Sequence, residues 1–416
     1  MNTDILKENF FSLSQKGINY SLDRISKAVK LCGNPHTKFR SIHVAGTNGK
    51  GSTCAFIESV LRRAGYKTGL FTSPQILRFE EQIRINGEII SEENWINVYK
   101  DLTEIINGLG LTFFETLCLI CFEVFSRAEV DYAVIETGMG GRMDSTNIII
   151  PEVSVITKIA LDHKEYLGEK LEQVAEEKLG IVKKSVPLVM SLPEDKNIKI
   201  LAENVCKKHG SELILVNYTE GNEAVNDNEI SSFTYNERQY DLSLRGRHQI
   251  NNALLALNAL EKIGDFSYDV LYNGIQNAFM QGRFQIKTFG KTTLVLDAAH
   301  NPDAAIVLKK TLLSFFPGKK IIFIIGIMKD KDINSFLKII LKEDCSYYFT
   351  QPGIDRAAKA EELLKIANNI QEGDYQRTSE PESALQLALL EAAQDDIICI
   401  TGSFYMVSDI LRLLEF

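Results

Sequence analysis

Ile42-His43-Val44-Ala45-Gly46-Thr47-Asn48-Gly49-Lys50-Gly51-Ser52-Thr53 is the stretch on which the fold is read. Ile42 to Ala45 reads as a buried strand running straight into a glycine turn. Ser52 to Ala64 then reads as a helix, with Phe56, Ile57, Val60 and Leu61 along its buried side. Strand, glycine turn and helix in that order can hold phosphate. The helix start offers unpaired N–H groups and a positive dipole end, the glycines let the backbone approach, and Lys50 neutralises charge. The spacing departs from the G-x-x-x-x-G-K-[ST] loop, because Val44 stands five residues before Gly49 and Gly51 separates Lys50 from Ser52. In a P-loop kinase or GTPase the residue after the lysine carries a hydroxyl that holds Mg²⁺. With Gly51 there, a metal has to be held at least partly elsewhere.

Outward from this stretch the chain keeps alternating apolar runs with helical segments, the pattern of a sheet with crossover helices. Tyr132 to Ile135 and Val153 to Ile159 read as buried strands, each ending in polar residues. Between Asn217 and Arg238 the chain is polar and reads as hairpins and surface loops of the first domain (Gly221-Asn222-Glu223, Asn226-Asp227-Asn228). A helix is expected from about His248 to Gly264, and Gln281-Gly282-Arg283-Phe284 reads as the opening of a linker. From Thr292 a new alternation gives strands Leu294 to Leu296, Ile321 to Ile325, Ser346 to Phe349 and Ile397 to Ile400, with helices over 303–316, 332–341 and 359–369. The expected fold is α/β. An N-terminal P-loop-type ATPase domain with a mostly parallel sheet (1–282) leads through a linker (283–290) to a C-terminal Rossmann-like doubly wound α/β domain (291–416). A chain of 416 residues is too long for one ordinary core, which agrees with that division.

The composition, 45% hydrophobic and 24% charged, is that of a globular protein. A formal net charge of −9 argues against a nucleic-acid or membrane surface, while leaving room for a local basic cleft. Met1-Asn2-Thr3-Asp4 carries no basic, apolar, cleavable pattern, and the runs Leu117 to Phe122 and Ile321 to Ile327 are too short to span a bilayer. Seven cysteines without staple-like spacing suggest a reducing compartment, so a cytoplasmic location is expected. Cys118 and Cys121 form a C-x-x-C inside an apolar helical run and read as core rather than as a redox pair.

From Gly46 to Thr53 the sequence resembles the Mur ligase superfamily, and within it the folylpolyglutamate synthase/dihydrofolate synthase family. The resemblance recurs along nearly the whole chain: Leu70-Phe71-Thr72-Ser73-Pro74, Arg84-Ile85-Asn86-Gly87, and Glu136-Thr137-Gly138-Met139-Gly140-Gly141-Arg142-Met143-Asp144-Ser145-Thr146-Asn147. It continues through Asp162-His163, Leu167-Gly168, Glu177-Lys178-Leu179-Gly180-Ile181, Gly282-Arg283-Phe284, Asp297-Ala298-Ala299-His300-Asn301-Pro302 and Thr401-Gly402-Ser403. Ala298 stands where glycine is common in the family, and Gln281 where proline is usual. The resemblance implies ATP-dependent ligation of L-glutamate to folate, to dihydropteroate, or to both, through an acyl phosphate. It implies ATP as co-substrate, Mg²⁺ as cofactor with a monovalent cation such as K⁺ as an addition, small-molecule partners only, and a monomer.

The resemblance also assigns roles. Thr47, Asn48, Gly49, Lys50, Gly51 and Ser52 would cradle phosphates, with Asn252, Arg283 and Asp297 on the rest of the nucleotide. Ser73, Glu136 and His163 match the metal ligands. Lys50, Glu136, His163 and Lys178 form the catalytic set, Lys178 matching a lysine that the family can carry as a carbamate. Glu136 is singled out by its own surroundings as well, since a carboxylate after Ala133-Val134-Ile135 needs a cation or hydrogen-bond donors. The pteridine would meet Ser21, Leu22, Asp23 and Arg24, then Thr112, Phe113, Phe114 and Glu115, then Met143, Asp144 and Ser145. His300 and Ser403 would receive glutamate, and domain closure would exclude water from the acyl phosphate. Rival readings are a cell-wall precursor ligase of the wider superfamily, a P-loop kinase or nucleotide switch, and a catalytically dead binding protein. The first lacks room for a domain ahead of residue 46, the second wants a hydroxyl directly after Lys50, and the third sits badly with intact Lys50, Glu136 and His163.

Overall fold

The apolar run before the glycine turn forms strand β1 (Arg40–Ala45), buried along five of its six residues, and the helix Lys50–Arg63 follows it. A computed structural model describes residues 3–217, 222–227, 230–342 and 344–414. The remaining strands of the first sheet are β2 (Thr68–Phe71), β3 (Ile83–Ile85), β4 (Glu88–Ile89), β5 (Tyr132–Glu136), β6 (Val153–Ile156), β7 (Leu188–Ser191) and β8 (Leu213–Val216). Their spatial order is β4-β3-β2-β5-β1-β6-β7-β8. In that order the pairs from β2 through β8 are parallel, while β3 pairs antiparallel with both β2 and β4 at one edge. A parallel sheet buried on both faces explains why these strands read as near-continuous apolar runs.

Three further strands, β9 (Asn222–Asp227), β10 (Ile230–Tyr235) and β11 (Arg238–Leu242), form a sheet of order β11-β10-β9. Part of the loop expectation for 217–238 falls on 218–221 and 228–229, which lie outside the described residues. The last sheet holds β12 (Gln285–Phe289), β13 (Thr292–Leu296), β14 (Ile321–Ile325), β15 (Ser346–Phe349), β16 (Asp374–Arg377) and β17 (Ile397–Thr401), in the order β12-β13-β17-β14-β15-β16. All its pairs are parallel except β12 with β13. The α/β expectation therefore holds for both sheets.

One detail differs: the stretch 283–290, expected as a linker, contains β12, which pairs with β13 from Gln285↔Leu296 to Phe289↔Thr292 and so belongs to the last sheet. The chain divides into two compact units. The first is Met1–Glu223 with Ser232–Ser243 and Gln249–Phe279; the second is Met280–Phe416 with Ala224–Ser231 and Leu244–His248. The first unit's core gathers Phe10, Phe71, Trp95, Phe122 and Phe125, and the second unit's gathers Phe336, Tyr347 and Phe349. Cys118 and Cys121 are fully buried free thiols within the first core, as expected. Among the described residues no helix is long and apolar enough to cross a membrane.

The helix Lys50–Arg63, which carries the glycine turn, is backed by the helix Tyr268–Gln276. The approach is close: a Cβ on Gly274 would stand 2.5 Å from Val60 Cγ2 and 2.6 Å from Val60 Cα. Helix propensity alone favours Gly274→Ala by about 1 kcal/mol. Overpacking against a backbone atom, which no rotamer relieves, costs about 1–3 kcal/mol. We therefore expect Gly274→Ala to lower the thermal unfolding midpoint of the first unit; a raised midpoint would mean the two helices separate freely.

Candidate active site

Strand register gathers the candidate residues of the first unit. Strand β1 lies between β5 and β6, with Val44 paired to Glu136 and Ala45 to Ile156, while Phe71 of β2 pairs with Ile135. All four strands are parallel, so the glycine turn, Glu136, Ser73 and residues 157–160 leave the sheet on its carboxyl edge. That edge is where open α/β sheets bind ligands.

The glycine turn is braced from β6. Thr157 Oγ1 donates to the Asn48 carbonyl (2.7 Å), and Thr47 N–H donates to the Lys158 carbonyl (2.8 Å). Thr47 Oγ1 donates to the Ala160 carbonyl (2.8 Å) and accepts from Ala160 N–H (3.0 Å). The N–H and hydroxyl of Thr47, expected at phosphate, are thus spent on holding the turn. A Cβ on Gly46 would collide with Thr157 Oγ1. Gly49 caps the helix at φ 91°, a left-handed conformation suited to glycine, and a Cβ there would collide with the Asn252 amide. Asn252 is itself held by the Gln249 side chain, its Nδ2 donating at 2.9 Å. At the helix start the first N–H groups have no intrahelical acceptor. Ser52 Oγ and Thr53 Oγ1 are buried there without a hydrogen-bond partner among the described residues. A bare backbone cradle with an orphaned hydroxyl fits an oxyanion.

Glu136 is almost wholly buried at the end of β5. Its Oε2 accepts from Ser73 N–H (3.2 Å), and the Lys50 ammonium stands 3.7 Å from its Oε1. A cation is therefore accommodated against that carboxylate. Among the described residues no group of three or more His, Cys, Asp or Glu side chains is arranged to hold a metal. The buried Glu136 carboxylate is an oxygen ligand of the kind that a hard divalent cation takes. His163 adopts a left-handed backbone (φ 50°) and faces Asp162 at 4.0 Å, partly exposed.

Lys178 is not a solvated helix lysine. It is 2% exposed, and its ammonium donates to the Gly46 carbonyl at 2.8 Å. Burial, and then the nearby Lys50 charge, push its pKa down to about 7, with Asp162 and Asp144 opposing.

The proposed pteridine residues separate into two groups. Phe113 packs on Phe10 (centroids 4.9 Å apart) and Phe79 (6.3 Å), so its ring serves the core. Glu115, 1% exposed, closes a capping box with Thr112, its Oε2 accepting from Thr112 N–H (2.8 Å) and Oγ1 (2.9 Å). Its Oε1 accepts from Asn19 (2.8 Å). Arg24 donates to the Gly110 carbonyl (3.0 Å), and Ser21 Oγ accepts from Asp23 N–H (3.1 Å), next to Leu22 at the start of the helix Asp23–Leu31. Phe114 instead lies over Gly138, in the loop that follows Glu136 and continues to Met143, Asp144 and Ser145. Asp144 is buried and accepts from Met139 N–H (2.9 Å) and Thr146 N–H (3.0 Å).

In the second unit, Asp297 follows β13 and Gly402-Ser403 follows β17, its parallel neighbour. Asp297 Oδ2 accepts from Phe284 N–H (2.8 Å) and Oδ1 from Ala299 N–H (2.9 Å), while burial pushes its carboxyl pKa up. Phe284 is held at φ 43°, rare for a bulky residue, by this bond and by burial against Phe315. Arg283 lies over the Phe404 ring (4.7 Å), which also packs on His300 (5.6 Å). His300 Nδ1 is 2.9 Å from the Ala298 carbonyl, and Asn301 caps the helix Pro302–Phe315. Ser403 Oγ donates to the Gly326 carbonyl (2.8 Å).

Sequence reasoning missed Thr157 and Ala160, which brace the turn, and did not foresee that Glu177 joins Tyr20 to Arg142: its Oε2 accepts from Tyr20 OH (3.1 Å) and its Oε1 pairs with Arg142. Arg142 and Glu177 both stand in stretches that carry the family resemblance, which was the available signal.

Two family models match the chain: the Mur ligase middle domain over residues 44–260, and the Mur ligase glutamate ligase domain over 282–404. A dihydrofolate synthase/folylpolyglutamate synthase of Bacillus subtilis (strain 168) is 32% identical over 96% of this chain and 96% of its own length. Among solved structures, E. coli FolC in complex with DHPP and ADP has a TM-score of 0.88 at 30% identity, covering 99% of this chain and 97% of that one. A bifunctional folylpolyglutamate synthase/dihydrofolate synthase with Mn, AMPPNP and L-glutamate bound has a TM-score of 0.86 at 28% identity, covering 99% and 98%.

Two outcomes follow from this geometry. Gly46→Ala forces Thr157 off the turn and should abolish measurable nucleotide affinity in calorimetry; unaltered affinity would show that the brace is dispensable. For Lys178, the folded pKa of about 7 lies below the ordinary 10.5, so the unfolded chain binds more protons between these values and folding stability rises with pH across that window. In CO₂-free buffer, denaturation of the native chain should show a steeper rise in stability from pH 7 to pH 10 than Lys178→Met, and equal slopes would contradict a depressed lysine.

Proposed function

The chain belongs to the Mur ligase family, among the folylpolyglutamate/dihydrofolate synthases, and we propose on that premise which of its residues carry the ATP-dependent ligation of L-glutamate to folate or dihydropteroate. The observation that carries the reading is the Lys50 ammonium 3.7 Å from Glu136, between a phosphate-type turn and the Ser73 backbone, on the carboxyl edge of a parallel sheet.

The reaction needs two displacements. An acceptor carboxylate oxygen attacks the γ-phosphorus of ATP and releases ADP; the glutamate amine then attacks the acyl carbon and releases phosphate. Both concentrate negative charge, so the protein's task is neutralisation and alignment. Lys50, the N–H groups of Asn48 to Ser52 and the Ser52 hydroxyl are assigned to the phosphates, with Asn252 beside Gly49. Glu136, Ser73 and His163 are assigned to a divalent metal, proposed as Mg²⁺, which when bound would neutralise phosphate charge. A monovalent ion such as K⁺ is an additional proposal.

Burial, with the Lys50 charge, lowers the Lys178 amine pKa to about 7, which favours the unprotonated amine far more than in a surface lysine. The Lys178 amine can add CO₂ and lose a proton, becoming a carbamate that faces the same loops as an anion. Phe114, Met143, Asp144 and Ser145 are proposed for the acceptor, which the position of Phe114 over Gly138 at the start of that loop supports; Ser21 to Arg24 and Thr112 are proposed with them, and Phe113 and Glu115 through packing and capping. In the second unit Arg283 and Asp297 are proposed for the nucleotide, and His300 and Ser403 for glutamate. We further propose a monomer acting in the cytoplasm on small molecules alone, without nucleic-acid or membrane partners.

The test is to incubate the chain with ATP, Mg²⁺ and labelled glutamate, offering dihydropteroate and tetrahydrofolate separately, with products identified by mass. A glutamate adduct of either acceptor is expected, and ADP release with neither consumed would sink the reading. Lys50→Ala should abolish adduct formation with the fold intact. Glu136→Ala should raise the Mg²⁺ concentration for half-maximal rate steeply, and an unaltered titration would remove Glu136 from the metal site.

A further inference from the structure

We propose that His43 is a positioning residue for the acceptor side of the site, acting through Thr146 on Asp144. His43 is fully buried in the middle of β1, with Ile135 on one side and Ser154 on the other in register. Its Nε2 lies 2.8 Å from Thr146 Oγ1, and Thr146 Oγ1 donates to Asp144 Oδ1 at 2.5 Å.

Proton counting fixes the direction of this chain. Burial pushes the Asp144 carboxyl pKa up, but the Thr146 hydroxyl and backbone N–H groups that it accepts from oppose that and favour the carboxylate. A hydroxyl has one hydrogen and a carboxylate only accepts, so the Thr146 hydrogen is committed to Asp144. His43 must then donate through Nε2–H, leaving Nδ1 unprotonated. Nδ1 is indeed buried without a hydrogen-bond partner among the described residues. Burial, with the Lys183 charge, pushes the ring's pKa down to about 3, which keeps it a neutral, single-donor imidazole.

The end of this relay is a carboxylate that ties a loop to itself. Asp144 accepts from Thr146 N–H on Oδ1 and from Met139 N–H on Oδ2, so it joins the two ends of the turn 139–146. That turn carries Met143 and Ser145 and follows Gly138, on which Phe114 rests. An apolar residue at 43 would fill the space but remove the donor to Thr146, whose hydroxyl would be free to rotate away from Asp144.

The ordinary alternative is a core histidine that merely packs. The two predict different kinetics because β1 runs directly into the Gly46 turn. A packing defect at 43 would reach the phosphate loop and disturb ATP. A broken relay would reach the acceptor loop and leave ATP alone. The proposal rests on the acceptor-side reading of Asp144 and its loop, and the test separates the two.

Steady-state kinetics on the full chain with His43→Leu, His43→Gln, Thr146→Val and Asp144→Asn decide it. His43→Gln keeps an N–H donor near the Nε2 position. We expect His43→Leu and Thr146→Val each to raise the acceptor KM by about tenfold: the first removes a buried hydrogen bond to the Thr146 hydroxyl and the second removes the hydroxyl's own bond to the Asp144 carboxylate. The KM for ATP should stay within about twofold, and the double variant should be no worse than either single, as for one shared interaction. His43→Gln should restore most of the loss. ATP and acceptor KM rising together, or His43→Gln failing as badly as His43→Leu, would overturn the relay. An acceptor KM raised by Asp144→Asn but not by His43→Leu overturns the relay alone; one unmoved by Asp144→Asn overturns the acceptor-side reading beneath it.

Discussion

The parallel register of β5, β1 and β6 is the constraint on which the site depends, because it sets three loop origins side by side at one sheet edge. Pairing Val44 with Glu136 and Ala45 with Ile156 places a carboxylate and the bracing segment 157–160 on either side of the glycine turn. A slip of one residue would turn Glu136 to the opposite face of the sheet, away from Lys50. The brace then holds the turn: Thr47, Asn48, Thr157 and Ala160 exchange hydrogen bonds that a looser connection would give to water. The turn is thereby preorganised, so little ordering remains to be done when phosphate arrives.

From this arrangement the charge pattern follows. Gly51 leaves the position after Lys50 without a hydroxyl, and the neighbouring strand ends bring the Glu136 carboxylate, held by Ser73 N–H, to the turn instead. Lys178 stands behind the turn, bonded to the Gly46 carbonyl. Its burial beside Lys50 is unfavourable for a second ammonium, which is why its proton is held weakly. A buried lysine of this kind is chemically available in a way that a surface lysine is not.

Much of this was legible in the sequence, but unevenly. The strand–turn–helix unit was readable because glycine spacing and an apolar run are local signals, and the C-terminal alternation was readable for the same reason. Strands β12 and β16 were not. Asp374-Tyr375-Gln376-Arg377 is a mostly exposed edge strand without an apolar run, and Gln285–Phe289 is a strand only because β13 lies beside it. Phe113 and Phe114 look alike in sequence, and both pack against the first core; Phe113 meets Phe10 and Phe79, while Phe114 meets Phe71 and lies over Gly138. Lys178 follows Glu176 and Glu177, a polar run that reads as a solvated helix face until the loop 138–142 is packed on it. Thr157 carried no signal, since its role is defined by the turn it touches.

The chemistry that this site is arranged for is activation of a carboxylate by phosphoryl transfer, and one isotope measurement addresses it directly. The acceptor is prepared with ¹⁸O in the reacting carboxylate and turned over with ATP and glutamate, and the released phosphate is analysed by mass. Attack by a carboxylate oxygen on the γ-phosphorus, followed by cleavage of the carbon–oxygen bond as the amine adds, predicts one acceptor-derived ¹⁸O in each phosphate formed. Phosphate released without acceptor oxygen during adduct formation would contradict an acyl phosphate and, with it, the alignment of turn, cation-facing carboxylate and acceptor loop described above.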